Sequence, residues 1–148
     1  MSKFTERILV AVDTPEGSRH VVRVAAELAS ALDADLHLIH VRSARSTVQG
    51  RPITPAQRET MEDAGGRLLE GLAAEAEAAG RPVVEQHLRI GERIHRELVD
   101  AQAELEAGLL VVGAGKGGTA SRLLSSAGGA TGAVRRSPGS VLVVRDPA

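Results

Sequence analysis

The chain has 148 residues, 43% of them hydrophobic and 25% charged, and a net charge of −1; this size and balance predict one globular domain over residues 1–148 and exclude global disorder. Near-neutral charge gives no electrostatic basis for a nucleic-acid or membrane partner, and Phe4, the only aromatic residue, leaves no platform on which bases could stack. The absence of cysteine excludes disulfides, thiolate zinc sites and cysteine nucleophiles together.

In chain order, Met1 to Arg7 leads straight into the apolar run Ile8-Leu9-Val10-Ala11-Val12, which stops at Asp13-Thr14-Pro15. The run is too short for a signal peptide or a membrane span, so a cytoplasmic protein is expected. It has the character of a strand buried on both faces. A cap residue and a proline, Thr14-Pro15, then open a helix with Val21, Val24, Ala25, Leu28 and Leu32 on one face. Asp35 to Val41 forms a second strand, polar enough to lie nearer the sheet margin. Ser43 to Pro55, with Gly50, Pro52 and Pro55, is expected to be a mobile surface loop. A second helical stripe, Met61, Leu68, Leu72, Ala76 and Ala79, stops at Gly80.

Val83 to Ile90 alternates, with Val84, Gln86, Leu88 and Ile90 on one side and Glu85, His87 and Arg89 on the other, the pattern of an edge strand. Ile94, Leu98, Ala101 and Leu105 make a third helical stripe, expected to stop at Gly108. Leu109 to Val112 and Val141 to Val144 complete the strands, and the glycine-containing stretch Ser121 to Arg136 between them is expected to be a fourth helix. Strands alternating with helices imply right-handed crossovers and a parallel sheet. The all-apolar first and fourth strands belong at its centre and the alternating third at an edge. The fold class is therefore α/β, a parallel five-stranded sheet of order 3-2-1-4-5 with helices on both faces. Its switch point lies between strands one and four, where ligands of such sheets bind.

Two features converge there. Asp13 ends the first strand, where a carboxylate can accept from a ribose hydroxyl, hold a metal through water, or simply shape a turn. Gly113-Ala114-Gly115-Lys116-Gly117-Gly118 follows the fourth strand. Glycines let backbone N–H groups approach a phosphate, and Lys116 adds a compensating charge. A Walker A loop is excluded because Gly117 follows Lys116. Gly113, Gly115 and Gly118 do fit G-x-G-x-x-G, but the next strand ends Val144-Arg145-Asp146 with no second mononucleotide half behind it, which argues against NAD. Among the histidines, His37 and His40 point to opposite faces of one strand and so are not joint metal ligands; His20, His87 and His95 are read as surface groups. No nucleophile, base and orienting residue come together, so no catalytic residue is assigned and weak ATP hydrolysis is the most that is expected.

At these residues the sequence resembles the universal stress protein family. The likeness is carried by Ile8-Leu9-Val10-Ala11-Val12-Asp13 with Ser18 following, by Leu38-Ile39-His40-Val41, by Leu110-Val111-Val112-Gly113 leading into glycines, by Leu123-Leu124, and by Val141-Leu142-Val143-Val144-Arg145. The resemblance implies the same sheet order, frequent homodimers, a role in stress response and, in one subgroup, ATP bound at the switch point, accompanied by Mg2+. There the residue matching Asp13 meets the ribose, the backbone matching Val41 meets the adenine, and the phosphates sit on a motif G-x2-G-x9-G-[ST]. This chain departs from the motif: Gly115, Gly118 and Gly128 keep the glycine spacing, but Gly129 stands where Ser or Thr belongs. Anchoring on Gly113 instead puts Lys116 and Ser126 at the second and third glycines, and taking Gly115 as the second glycine puts Ser125 and Ser126 at the final pair. The candidate nucleotide-binding residues are thus Ala11, Val12, Asp13, Val41, Gly113, Gly115, Lys116, Gly118, Ser125, Ser126 and Gly128. The leading expectation is an adenine-nucleotide-binding, cytoplasmic stress-response protein that dimerises through its last strand. The rival is the same fold with an empty, degenerate site, acting through contacts with other proteins.

Overall fold

The computed structural model describes residues 6–44, 51–114, 138–145 and 147. Five parallel strands make one sheet: β1 (Arg7–Ala11), β2 (Asp35–Ser43), β3 (Glu85–Gly91), β4 (Leu109–Gly113) and β5 (Ser140–Val144), in the order β3-β2-β1-β4-β5. The expected order is the observed one. β1 sits at the centre, with Val10 opposite Leu38 of β2 on one side and Val111 of β4 on the other. Three helices are described, α1 (Pro15–Leu32), α2 (Pro55–Ala78) and α3 (Ile94–Glu104). The expected fourth helix, Ser121 to Arg136, lies outside the described residues.

Alternation along the strands divides the core into two layers. Ile8, Val10, Val12, Leu36, Leu38 and Val111 pack against α1 and α2, while Leu9, Ala11, Ile39, Val41, Leu110 and Val112 pack against α3. β2 is buried along nearly its whole length. Its two histidines therefore do not signal a solvated margin, because each finds a polar partner inside the protein.

Local chemistry sets the helix ends. Thr14 accepts from the Gly17 amide at 3.0 Å ahead of Pro15, and α1 stops where Asp33 turns left-handed at φ 54°. Thr54 and Gln57 form a reciprocal capping box at the start of α2. Gly80, at φ 99°, ends that helix as expected. After α3 the left-handed turn falls on Glu106 (φ 51°) rather than on Gly108, which the sequence had offered as the stop.

The buried stripes are rotated slightly from the expected ones. In α1, Val21 and Ala25 are central as expected, but Val22, Ala26 and Ala29 join them while Val24, Leu28 and Leu32 sit at the margin. Small alanines let the helix lie close to the sheet, so the larger aliphatics fill the flanks. In α2 the buried leucines are Leu69 and Leu72; Leu68 is only partly covered. Val84 precedes β3 and is 60% exposed, so it does not share the inward face of Leu88. On the other side of β3, Arg89 is not simply solvated but pairs with Glu97 and Glu104, on α3.

Candidate functional site

β1 ends in Asp13-Thr14-Pro15, where the chain leaves the sheet and starts α1. Ser18, buried one turn into that helix, accepts from the Asp13 backbone amide at 2.8 Å. This contact fixes the strand-to-helix turn and with it the position of the Asp13 side chain. It gives Ser18, noted in sequence only as part of a resemblance, a physical role. The positive end of the α1 dipole lies at the same place.

A cavity of about 680 Å³ opens over the carboxyl ends of β1 and β2. Its floor and near wall are Asp13, Thr14, Pro15, His40, Val41, Arg42 and Ser43. α2 supplies Ala64, Arg67 and Leu68, spaced to share one helical face, and α3 supplies Ile94. The wall is thus apolar at Pro15, Val41, Ala64, Leu68 and Ile94, with a few polar groups placed around it, the usual make-up of a small-molecule site. Arg42 and Arg67 form no ion pair among the described residues, and Asp13 is the one carboxylate in the lining. The cavity therefore has a cationic rim.

His40 is 7% exposed, and its Nδ1 lies 2.7 Å from the Val12 carbonyl oxygen. Burial holds its pKa below the ordinary 6.5, and nearby Arg42 pushes the same way against the opposing effects of the Val12 hydrogen bond and Asp13. On the opposite face of β2, His37 Nδ1 lies 3.1 Å from His87 Nε2, the rings nearly parallel with centroids 5.4 Å apart. Burial lowers both of these pKa values, and for His37 the proximity of His87 adds to the effect. His87 is therefore a partner of His37 and not the surface group expected from sequence. Among the described residues no group of three or more His, Cys, Asp or Glu is arranged to hold a metal.

Of the sequence candidates, Asp13 and Val41 line the cavity together. Ala11 and Val12 are buried just beneath it at the end of β1. Gly113 closes β4, where an added Cβ would stand 2.9 Å from Val21 Cγ2 on α1, so close helix–strand packing already calls for glycine there. Gly115, Lys116, Gly118, Ser125, Ser126 and Gly128 lie outside the described residues. The cavity opens over β1 and β2, one strand along from the β1/β4 switch point. Arg42, Arg67, Leu68 and Ile94 were not expected at the site. The hydrophobic period placed Leu68 in a core stripe, and nothing in the spacing brings α2 over the end of β2.

The fold is shared with known proteins. The model of the universal stress protein family matches residues 5–145. A crystal structure of a universal stress protein in complex with cAMP is 25% identical, with a TM-score of 0.66, covering 96% of this chain and 98% of that one. A universal stress protein family member from Burkholderia pseudomallei is 24% identical with a TM-score of 0.71, covering 97% and 98% of the two chains. The universal stress protein from Archaeoglobus fulgidus in complex with dAMP is 19% identical with a TM-score of 0.64, covering 93% and 96%. No curated protein matches the chain. Among the described residues, no helix is long and apolar enough to cross a membrane.

Proposed function

This chain belongs to the universal stress protein family, and on that premise we propose that it is a cytoplasmic stress-response protein whose cavity over β1 and β2 binds an adenine nucleotide, ATP with Mg2+ in first place, without rapid turnover. The observation that carries the reading is the cavity itself, in which Asp13 and Val41 meet under an apolar wall and a cationic rim. In this reading Asp13 takes the ribose and Val41 the base, while the phosphates run toward Gly113 and the glycine-rich stretch with Lys116. The described lining offers a single carboxylate, so Mg2+ would be held mainly by the nucleotide, whose charge it would offset. The cAMP complex of the 25% identical relative supports an adenine ligand. Gly129, in place of the motif's Ser or Thr, favours the rival reading of an empty site that works through protein contacts.

A homodimer through β5 belongs to the same proposal. β5 is the last strand of the sheet, and Val143 on it is 39% exposed. An apolar edge of this kind is normally covered or paired, and a two-fold copy can supply the same strand. Light scattering at micromolar concentration then reports a dimer, and a monomer refutes this part.

The nucleotide reading is tested by melting the full chain with and without millimolar Mg-ATP. A ligand at a hundred times its dissociation constant adds about 2.7 kcal/mol and visibly raises the melting temperature. NAD should raise it less. An unmoved melting curve, together with no nucleotide in the mass spectrum of ligand released from protein purified without additions, favours the empty-site reading.

A further inference from the structure

We propose that the N-terminal arm of α2, residues 55–64, is a lid that bends at Gly65-Gly66 to close over the cavity once a nucleotide is bound. The proposal rests on the nucleotide reading above and adds the movement by which the chain holds its ligand.

Burial divides α2 in two. Every residue from 55 to 60 is exposed, and between 61 and 64 only Met61 and Ala64 are half-buried. The first buried residue is Gly65, and Leu69, Leu72 and Ala76 continue its stripe into the core layer shared with α1. The body of the helix is therefore docked, whereas the arm before Gly65 stands clear of the protein. A helical end without packing is marginal in water, and this one is secured by its own chemistry. Pro55 opens the first turn, and the capping box of Thr54 and Gln57 satisfies an amide at each of those residues. The arm thus keeps its helical form with little tertiary support and can move as one piece.

The joint between arm and body is the glycine pair, and its two members differ. A Cβ at position 65 would come within 2.6 Å of Leu88 Cδ1, so close packing against β3 calls for glycine there. A Cβ at position 66 would meet nothing within 4 Å, and the backbone is ordinary α-helix. Neither space nor dihedral requires glycine at 66, and a glycine in a helix interior gives up stability relative to alanine. Such a pair is one of the few features that let a helix bend sharply.

The joint also lies at the cavity. Ala64 on one side of it and Arg67 and Leu68 on the other line that space from α2. A bend between them moves Ala64 relative to Arg67 and Leu68 and carries the arm across the mouth. Met61, one turn before Ala64 on the same helical face, is the arm's only large apolar side chain, and it is not part of the lining while the helix is straight. Closure brings it onto the ligand. That contact is made only in the closed, bound state, and it supplies the differential affinity that a ligand-driven closure needs.

The test compares Gly66→Ala with Gly71→Ala in the full chain. Gly71 lies in the docked body of the same helix, and a Cβ there also meets nothing within 4 Å. Both variants gain the same helix propensity, so both should raise the urea midpoint. Only Gly66→Ala stiffens the joint. Mg-ATP, followed by surface plasmon resonance, should leave Gly66→Ala about fivefold faster than the unmodified chain, the equilibrium factor of alanine over glycine in a helix. It should leave Gly71→Ala at the unmodified rate, and equal dissociation from the two variants overturns the lid. Hydrogen exchange of the unliganded chain gives a readout that needs no nucleotide. The amides of Arg67 and Leu68 bond across the joint, and their exchange should slow in Gly66→Ala and not in Gly71→Ala. Slowing in both variants, or in neither, overturns the hinge. No Mg-ATP binding by any of the three proteins sinks the nucleotide reading and the lid with it, whereas binding with dissociation unchanged in Gly66→Ala sinks the lid alone.

Discussion

His37 and His40 stand three residues apart on β2, both less than a tenth exposed, yet they have opposite fates. On the α3 face, His37 spends its Nδ1 on His87, whose own Nδ1 lies 3.4 Å from the Glu85 carboxylate. A carboxylate only accepts, so His87 carries its proton at Nδ1, and His37 is the donor between the neutral rings. That chain runs away from the cavity toward the sheet edge and ends at an exposed group. On the α1/α2 face, His40 gives its Nδ1 proton to a backbone carbonyl and keeps the other nitrogen open to the cavity. The difference comes from position along the strand. His37 lies opposite Glu85, at the start of β3, whereas His40 lies near the carboxyl end, where β1 has already turned off into α1. The same residue type fastens an edge strand at one place and faces a ligand site at the other.

His37 stays out of contact with solvent and ligand only while α3 covers its face of β2, and the largest effect is expected from uncovering that face. Leu98 on α3 is 1% exposed and packs in the layer that covers β2 there. Leu98→Ala should cost about 2–5 kcal/mol, read as a lower urea midpoint at unchanged m. A loss below about 1 kcal/mol would mean that α3 does not hold this face closed.

Gly65 probes the other face. An added Cβ would come within 2.6 Å of Leu88 Cδ1 and 3.5 Å of His40 Cδ2. Gly65→Val should overpack this site by about 1–3 kcal/mol and shift the NMR signals of the His40 ring while leaving those of His37 and His87 in place. Movement of all three rings would show that the two faces are not independent.

A smaller effect separates the histidines by pH. All three have pKa values held below the ordinary 6.5, mainly by burial. The unfolded chain therefore binds more protons than the folded one, and stability rises with pH in this range. Their contribution is complete above 6.5 and is lost as pH falls below that value toward their folded-state values. His37→Phe should cost about 1 kcal/mol at neutral pH, because His87 loses its partner, and should flatten the acid-side slope. A slope as steep as that of the unmodified protein would place the proton uptake elsewhere.

Much of this was legible in the sequence. The continuous apolar runs of β1 and β4 and the alternation of β3 were enough to order the sheet, because burial on two faces or one leaves different patterns. Asp13 and Val41 could be named because each ends a strand on the ligand-binding side of such a sheet or matches a family pattern. Arg67 and Ile94 could not. Each reaches the cavity through the way α2 and α3 cross the strand ends, and a helical period reports which face is buried, not what lies beyond its last turn. The partner of His37 was hidden for a related reason: His87 reads as exposed in an alternating edge strand until the register brings Glu85 opposite His37 and sets His87 two residues further along the same face.

The central claim, that the cavity over β1 and β2 holds the nucleoside, is tested most directly by filling it. Ala64 lines that space from α2 and is remote in sequence from both the β1 turn and the glycine-rich stretch. Calorimetric titration of Mg-ATP into Ala64→Trp, with circular dichroism to show that the fold is kept, should find affinity reduced by at least about tenfold relative to the unmodified chain. Undiminished affinity in a folded Ala64→Trp would contradict the account and move the nucleotide out of this cavity.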